Sequence, residues 1–330
     1  MAASSISIDL PKEFGDRLLP SEKVQKRLTL KIPGSSANLG PGFDTIGLAL
    51  NAHSWLDFTI LHEDDVNIPL FRQCGAIASQ LPDDETNLIY KVLAHAVKDK
   101  ALLKRLRISV YSDIPLERGM GSSGTVIIGA TYAAARFNGE SPTTDQLLAD
   151  ASVFESHIDN LAASLLGGLV ISHRSEREII TTMLQWPENW KLLVLVPSYS
   201  VSTTNSRSVL PSEYKREDVV ENLQHLALLT AAICGRDPDL FKRALVDKIH
   251  EPYRLQLIPD LGHLRDALKD QPVMGSALSG AGSAMLVITE QDNYEQTVRF
   301  LKKWTGEQST HIDIIEADVD TSGLTVITDD

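Results

Sequence analysis

Ile114-Pro-Leu-Glu-Arg-Gly-Met-Gly-Ser-Ser-Gly124 separates a β-rich run, Arg107–Tyr111, from a run of small and apolar residues, Thr125–Phe137. The second run stops at Asn138-Gly139, a helix ending. The order is therefore strand, glycine-rich turn, helix. Gly119, Gly121 and Gly124 let the backbone approach a ligand with no Cβ in the way. Successive N–H groups in such a turn form an anion nest, and the positive end of the following helix adds to it. Ser122 and Ser123 add hydroxyls for phosphate oxygens or a metal ion. The stretch reads as a phosphate cradle. Taken alone it competes with an ordinary glycine turn.

Neighbouring residues exclude the commoner owners of such a loop. Gly119, Gly121 and Gly124 fit G-x-G-x-x-G by spacing, but a dinucleotide fold places its first glycine directly after the strand. Here Pro115–Arg118 intervene, and Glu140, at the distance of the ribose-binding acid, lies in an Asn-Gly-Glu-Ser-Pro turn. The V-A-I-K, H-R-D and D-F-G elements of protein kinases are absent. So are the G-x-x-x-x-G-K-[ST], G-x-S-x-G and H-E-x-x-H motifs.

Two more glycine-rich loops lie elsewhere on the chain. Pro33-Gly-Ser-Ser-Ala-Asn-Leu-Gly-Pro-Gly-Phe-Asp44 follows a strand expected at Leu28–Ile32, and Ser279-Gly-Ala-Gly-Ser283 sits between two apolar runs. A strand is expected at Trp55–Leu61. Thr143-Thr-Asp-Gln146 has capping-box spacing and opens a helix expected to reach Glu155. A short helix at Leu161–Leu166 and a strand at Leu169–Ser172 follow, then a strand and connection through Arg174–Trp190. Lys191–Val196 reads as a buried strand. Helices are expected over 217–234, 238–250, 260–269 and 292–304, with a strand–loop–strand over 273–289 and closing strands. Irregular alternation of this kind indicates an α+β fold in two units, 1–185 and 186–330. Residues 1–26 read as an irregular lead-in.

Composition sets the outer limits. The chain has 330 residues, 31 Lys+Arg against 44 Asp+Glu, and a net charge of −13. Forty-three per cent hydrophobic and 23% charged residues is a globular balance. The acidity disfavours nucleic acid and anionic membrane surfaces, which call for basic footprints. The longest apolar runs fall short of the ~20 residues that cross a bilayer. Two cysteines, Cys74 and Cys234, make no metal or disulfide framework. The N-terminus lacks an apolar signal core and carries Asp9, Glu13, Asp16 and Glu22. A cytoplasmic protein is expected.

Together the three loops resemble those of the GHMP small-molecule kinases. The matching segments are Pro33–Leu50, Pro115–Ser123 and Leu278–Ser283. Three further segments resemble the homoserine kinase branch of that family: Glu155-Ser-His-Ile-Asp-Asn160, Ser206-Arg-Ser-Val-Leu-Pro211 and Glu251-Pro-Tyr-Arg254. The resemblance covers roughly residues 28–290. It implies the GHMP kinase fold, an N-terminal α/β nucleotide-binding domain with a C-terminal ferredoxin-like domain. It also implies ATP-dependent phosphorylation of L-homoserine, with Mg²⁺, by a homodimer.

By the same resemblance ATP is bound by Asn87, Pro115, Leu116, Glu117, Arg118, Gly119, Met120, Gly121, Ser122 and Ser123. Ser123 and Glu155 would hold Mg²⁺. Homoserine is a zwitterion, so its site needs a cation and an anion. Arg207 and Arg254 offer the guanidinium fork for the carboxylate. Asp44 suits the ammonium or hydroxyl end, with Asn38, His157 and Asp159 around it. Glu155 and Asn160 are the catalytic candidates. Taken singly, an Arg is usually a surface charge and a His usually structural; the motif raises them above that. Some GHMP relatives place an Asp base where Asn160 stands, and Asn cannot act as a base. A loose phosphoryl-transfer transition state can rely on positioning and charge neutralisation, so catalysis without an enzyme base is expected. Ile158, where many relatives have Pro, and Gly124, where Ala is usual, are further departures. The alternatives are a GHMP kinase acting on mevalonate or a sugar, or a non-catalytic ligand sensor on the same fold.

Overall fold

Two long strands, β1 (Val24–Ala37) and β2 (Ile46–Leu61), open the fold of the computed structural model, which describes residues 10–330. They pair antiparallel from Val24 opposite Leu61 to Ala37 opposite Gly47, with the register slipping between Pro33 and Gly34. Pro33 has no N–H to give the ladder, and the slip absorbs it. β1 thus runs on through Pro33-Gly-Ser-Ser-Ala37, and the first glycine loop is confined to the turn that follows.

β3 (Phe71–Gln73), β4 (Leu106–Ser112), β5 (Leu169–Arg174) and β6 (Ile179–Leu184) extend the sheet. The helices Leu88–Ala96, Ser122–Phe137 and Asp159–Leu166 bury their apolar sides against it. That core includes Leu30, Leu56, Phe58, Ile108, Ile128 and Leu161. Ile158 is part of it, which explains an apolar residue at that position. The capping box at Thr143 forms as expected, but its helix ends at Ala151.

The second sheet holds β7 (Trp190–Pro197), β8 (Gly275–Leu278), β9 (Met285–Glu290) and β10 (Ile312–Ala317). Its order is β10-β7-β9-β8, all antiparallel. With helices in the β7–β8 and β9–β10 connections, this is the ferredoxin-like arrangement. β7 alternates between two cores. Leu193 and Leu195 face the helices of their own unit. Leu192, Val194 and Val196 meet Leu39, Ile114 and Met120 from the glycine loops of the first unit.

The tail of the expected second unit departs from it. β11 (Thr325–Asp329) returns to the first sheet and pairs with β1, giving the order β11-β1-β2-β4-β3 with β5 and β6 off β2. The helix expected over 238–250 stops at Ala244, and Asp247 then accepts the His250 and Glu251 N–H groups to start a new turn. Of the lead-in expected at 1–26, residues 1–9 lie outside the described residues. Lys12–Gly15 is a helical turn whose Phe14 is buried against Trp55 and Cys74. Among the described residues no helix is long and apolar enough to cross a membrane.

Candidate active site

The cradle is built by three chain segments that lock together. Gly121, in the left-handed region at φ 71°, caps the helix Ser122–Phe137. An amino-terminal helical turn has N–H groups without intrahelical partners, and these face the cradle. The Ser35 N–H of β1 donates to the Met120 carbonyl at 3.0 Å. Ser279 Oγ donates to the Gly119 carbonyl at 2.7 Å, and the Ala284 N–H donates to the Arg118 carbonyl at 3.0 Å. A Cβ on Gly119 would run into the Ser279 carbonyl, so this contact admits only glycine.

Two cavities adjoin at the cradle and share Glu117, Ser122 and Ser123. The larger, about 850 Å³, is lined by Pro82, Asn87, Pro115, Leu116, Arg118, Val126, Val196 and neighbours. The smaller, about 340 Å³, gathers Asn38, Asp44, Gly119, Gly121, Glu155, His157, Asp159, Asn160, Arg207 and Arg254. Residues separated by more than two hundred positions thus meet in one small space.

Two of the nucleotide candidates, Asn87 and Arg118, line the larger cavity with side chains that also bond the protein, and a third, Met120, lies apart from it. Asn87 caps the helix Leu88–Ala96 by accepting from the Ile89 N–H at 2.9 Å, and its amide donates to the Pro82 carbonyl at 2.6 Å. Arg118 donates to the carbonyls of Leu116, Pro197 and Ser198 at 2.7–3.0 Å. It clamps the loop to the end of β7. Met120 lines neither cavity; its side chain is buried in the core between the units.

On one side of the small cavity sit the cations. Arg207 Nη2 donates to Asp44 Oδ1 at 2.6 Å. Arg254 is buried and donates to the carbonyls of Ser206 and Gly280, both at 3.2 Å. Both guanidiniums lie over the Phe43 ring, 5.4 and 5.0 Å from its centre. His250 stacks on the same ring at 5.0 Å. Its Nδ1 accepts from Arg254 Nη1 at 3.3 Å, which makes Nε2 the donor to the Gly40 carbonyl at 3.0 Å. Burial, and then the neighbouring Arg207, lower the Arg254 pKa to about 10, still charged at neutral pH. The turn carrying Asp44 is held by Asn38, which accepts from the Asp44 N–H at 3.0 Å and donates to the Gly280 carbonyl at 2.9 Å.

On the other side are Glu155, His157, Asp159 and Asn160. His157 Nδ1 and Glu155 Oε1 are paired at 2.8 Å. Burial pulls His157 down, but the hydrogen bond and charge of Glu155 outweigh it and the net shift is upward. Asp159 is buried, and that burial, followed by the charge of Asp44, pushes its pKa up to about 6. Asn160 Oδ1 accepts from Ser35 Oγ at 2.8 Å.

Ser35, Phe43, His250, Ser206 and Ser279 escaped the sequence reading. All but one lie inside motif segments already singled out, and His250 immediately precedes Glu251. Glu251 itself is structural: it accepts the Leu278 N–H at 2.6 Å and pairs with Arg265.

A glycine cradle between a nucleotide-sized cavity and a small charged one, on these two sheets, defines a GHMP-type small-molecule kinase. Residues 87–168 match the family model of the GHMP kinases N terminal domain, and residues 229–305 that of GHMP kinases C terminal. The chain is 31% identical over 299 residues to a homoserine kinase of Synechocystis, covering 90% of this chain and 97% of that one. It is 36% identical over 271 residues to a homoserine kinase of Nostoc, covering 81% and 88%. The crystal structure of homoserine kinase from Cytophaga hutchinsonii superposes with a TM-score of 0.80 at 24% identity, over 94% of this chain and 100% of that one. The chain belongs to the homoserine kinase family of the GHMP kinases.

Proposed function

We propose that this enzyme transfers the γ-phosphoryl group of ATP to the side-chain hydroxyl of L-homoserine. The observation that carries the reading is the charge layout of the small cavity. Two arginines and two aspartates suit the two charges of an amino acid, next to a cradle for phosphates. Neither mevalonate, which lacks an ammonium group, nor an uncharged sugar calls for that layout.

In this reading the nucleoside occupies the larger cavity and the phosphates cross the cradle. Gly119, Gly121 and the amino-terminal turn of the helix Ser122–Phe137 supply N–H donors. Arg207 and Arg254 bind the homoserine carboxylate. Asp44 and Asp159 bind its ammonium group, and Asn38 holds the Asp44 turn. Asn160 lies at the hydroxyl end. The acceptor oxygen forms its bond to the γ-phosphorus as the bond to the β–γ bridging oxygen breaks and ADP leaves. The hydroxyl proton goes to a phosphate oxygen or to water, because Asn160 has no basic lone pair to take it.

Ser123 and Glu155 suit Mg²⁺. Both present oxygen donors to the small cavity beside the cradle, and Glu155 keeps one carboxylate oxygen clear of His157. Bound there, Mg²⁺ would neutralise charge on the phosphates. A cytoplasmic setting and a homodimer complete the proposal; the free cysteines Cys74 and Cys234 agree with a reducing compartment.

The test is a coupled ADP assay with L-homoserine, mevalonate, galactose and L-threonine as acceptors. Homoserine-dependent, Mg²⁺-dependent ADP formation is expected. Turnover with mevalonate or galactose in place of homoserine would overturn the reading.

A further inference from the structure

We propose that Ser35 is a positioning residue for phosphoryl transfer, locking the Asn160 side chain so that its NH₂ group serves the small cavity as a hydrogen-bond donor. The inference rests on reading that cavity as the acceptor site.

Ser35 is fully buried on β1, two residues beyond the proline where the register slips. Its Oγ donates to Asn160 Oδ1 at 2.8 Å. The Asn160 carbonyl and Ser164 Oγ, both at 3.5 Å, are the other polar neighbours and stand at the limit of hydrogen bonding. An Asn side chain has one accepting and one donating end. With the accepting end taken by Ser35, the donating end is left for the cavity that Asn160 lines.

Space around the pair is set by the cradle. A Cβ on Gly121 would run into Ser35 Oγ and come within 3.2 Å of Asn160 Oδ1. The Ser35 N–H is also tied to the Met120 carbonyl at 3.0 Å. One residue of β1 therefore couples the phosphate loop to the first turn of the helix Asp159–Leu166. This fixes the Asn160 amide relative to the transferring phosphoryl group. A fixed donor stabilises negative charge on an oxygen without reorganising during the reaction. A rotating amide would offer its carbonyl part of the time and repel that charge.

The test is a double-mutant cycle on the full chain, with kcat and both KM values measured for wild type, S35A, N160A and S35A/N160A. S35A is expected to lower kcat about tenfold and to leave the KM for homoserine and for ATP within about twofold. In the N160A background the same change is expected to alter kcat less than about twofold. S35C, which keeps a weak donor of similar size, is expected to fall between Ser and Ala. A S35A loss of equal size in both backgrounds would mean that Ser35 merely packs, and the proposal fails. So does a S35A effect confined to the KM values. If S35A does not fold, S35C against S35C/N160A decides by the same criterion. If the wild type uses another alcohol and not homoserine, the functional reading falls, and the cycle run with that alcohol decides the Ser35 claim. A wild type with no turnover overturns both.

Discussion

The two cavities at the cradle differ in what lines them. The larger is walled mainly by proline, leucine, isoleucine, valine and small polar residues; its charged side chains are Glu117, Asp313 and Arg118, and Arg118 is bonded to carbonyls. The smaller is walled by Asp44, Glu155, His157, Asp159, Arg207 and Arg254. In the proposed reading a polyanion would meet backbone N–H groups and a helix end, while a small zwitterion would meet full charges. This is how a chain of net charge −13 can serve a polyphosphate without a basic surface. The proposed division is that main chain and shape select one ligand, and side-chain charge the other.

If that division holds, damage to one cavity should leave the other ligand's binding almost intact. The largest effect is expected from Arg254→Ala, which removes a buried cation and strands the acids beside it. The kcat/KM for homoserine should fall about a thousandfold, with the KM for ATP near that of the wild type. An Arg254→Lys change should rescue little, because the guanidinium bonds two carbonyls and His250 at once. An equal loss for ATP in steady-state kinetics would break the comparison. The mirror experiment is Gly119→Ala. It strains a residue at φ 76° and collides with the Ser279 carbonyl. Expected is a loss of about a hundredfold in kcat/KM for ATP, with the acceptor preference unchanged across a panel of alcohols.

A third test sharpens the charged side alone. Asp159 must be ionised to hold an ammonium group, and its pKa is raised from 3.8 to about 6. The kcat/KM for homoserine should fall as pH drops below about 6, and Asp159→Asn should flatten that limb while lowering the plateau. Stability runs the other way. A raised folded pKa means that the folded state holds the proton more tightly. This contribution is therefore complete below pH 3.8 and is lost as pH rises through about 6. Thermal unfolding followed between pH 4 and 7 should show Asp159→Asn losing this part of the decline. The smallest expected effect lies between the cavities. A Cβ on Gly124 would meet nothing closer than 3.4 Å. Gly124→Ala should stabilise the helix by about 0.5–1 kcal/mol in denaturant melts and leave kcat within about twofold.

What the chain disclosed in advance follows the same division. The cradle was legible because anion nests need glycine, and glycine at Gly119 and Gly121 is forced by contacts a Cβ would break. The capping box at Thr143 was legible because both of its bonds are local. β3 is only three residues long and gives no periodicity, and β11 was expected as a closing strand but its partner across the chain was not. The reach of β1 past Pro33 was hidden by a proline and glycine that read as loop. Within the site, the arginines and acids came forward through motif resemblance, whereas their supports did not. Ser35, Phe43 and His250 act through contacts to residues about 120 to 210 positions away, and no local pattern marks such a contact. Arg118 lines the larger cavity as expected, with contacts that no local pattern marks. An arginine in a phosphate loop invites a phosphate, and here it also bonds three carbonyls.

We propose that a charged pocket beside the cradle selects an amino acid as phosphoryl acceptor. This is tested most directly by measuring ADP formation and phosphorylated product together, with L-homoserine and with mevalonate as competing acceptors in one reaction. Phosphohomoserine should accumulate one for one with ADP, with mevalonate left unphosphorylated. Phosphorylation of mevalonate in preference to homoserine would contradict it.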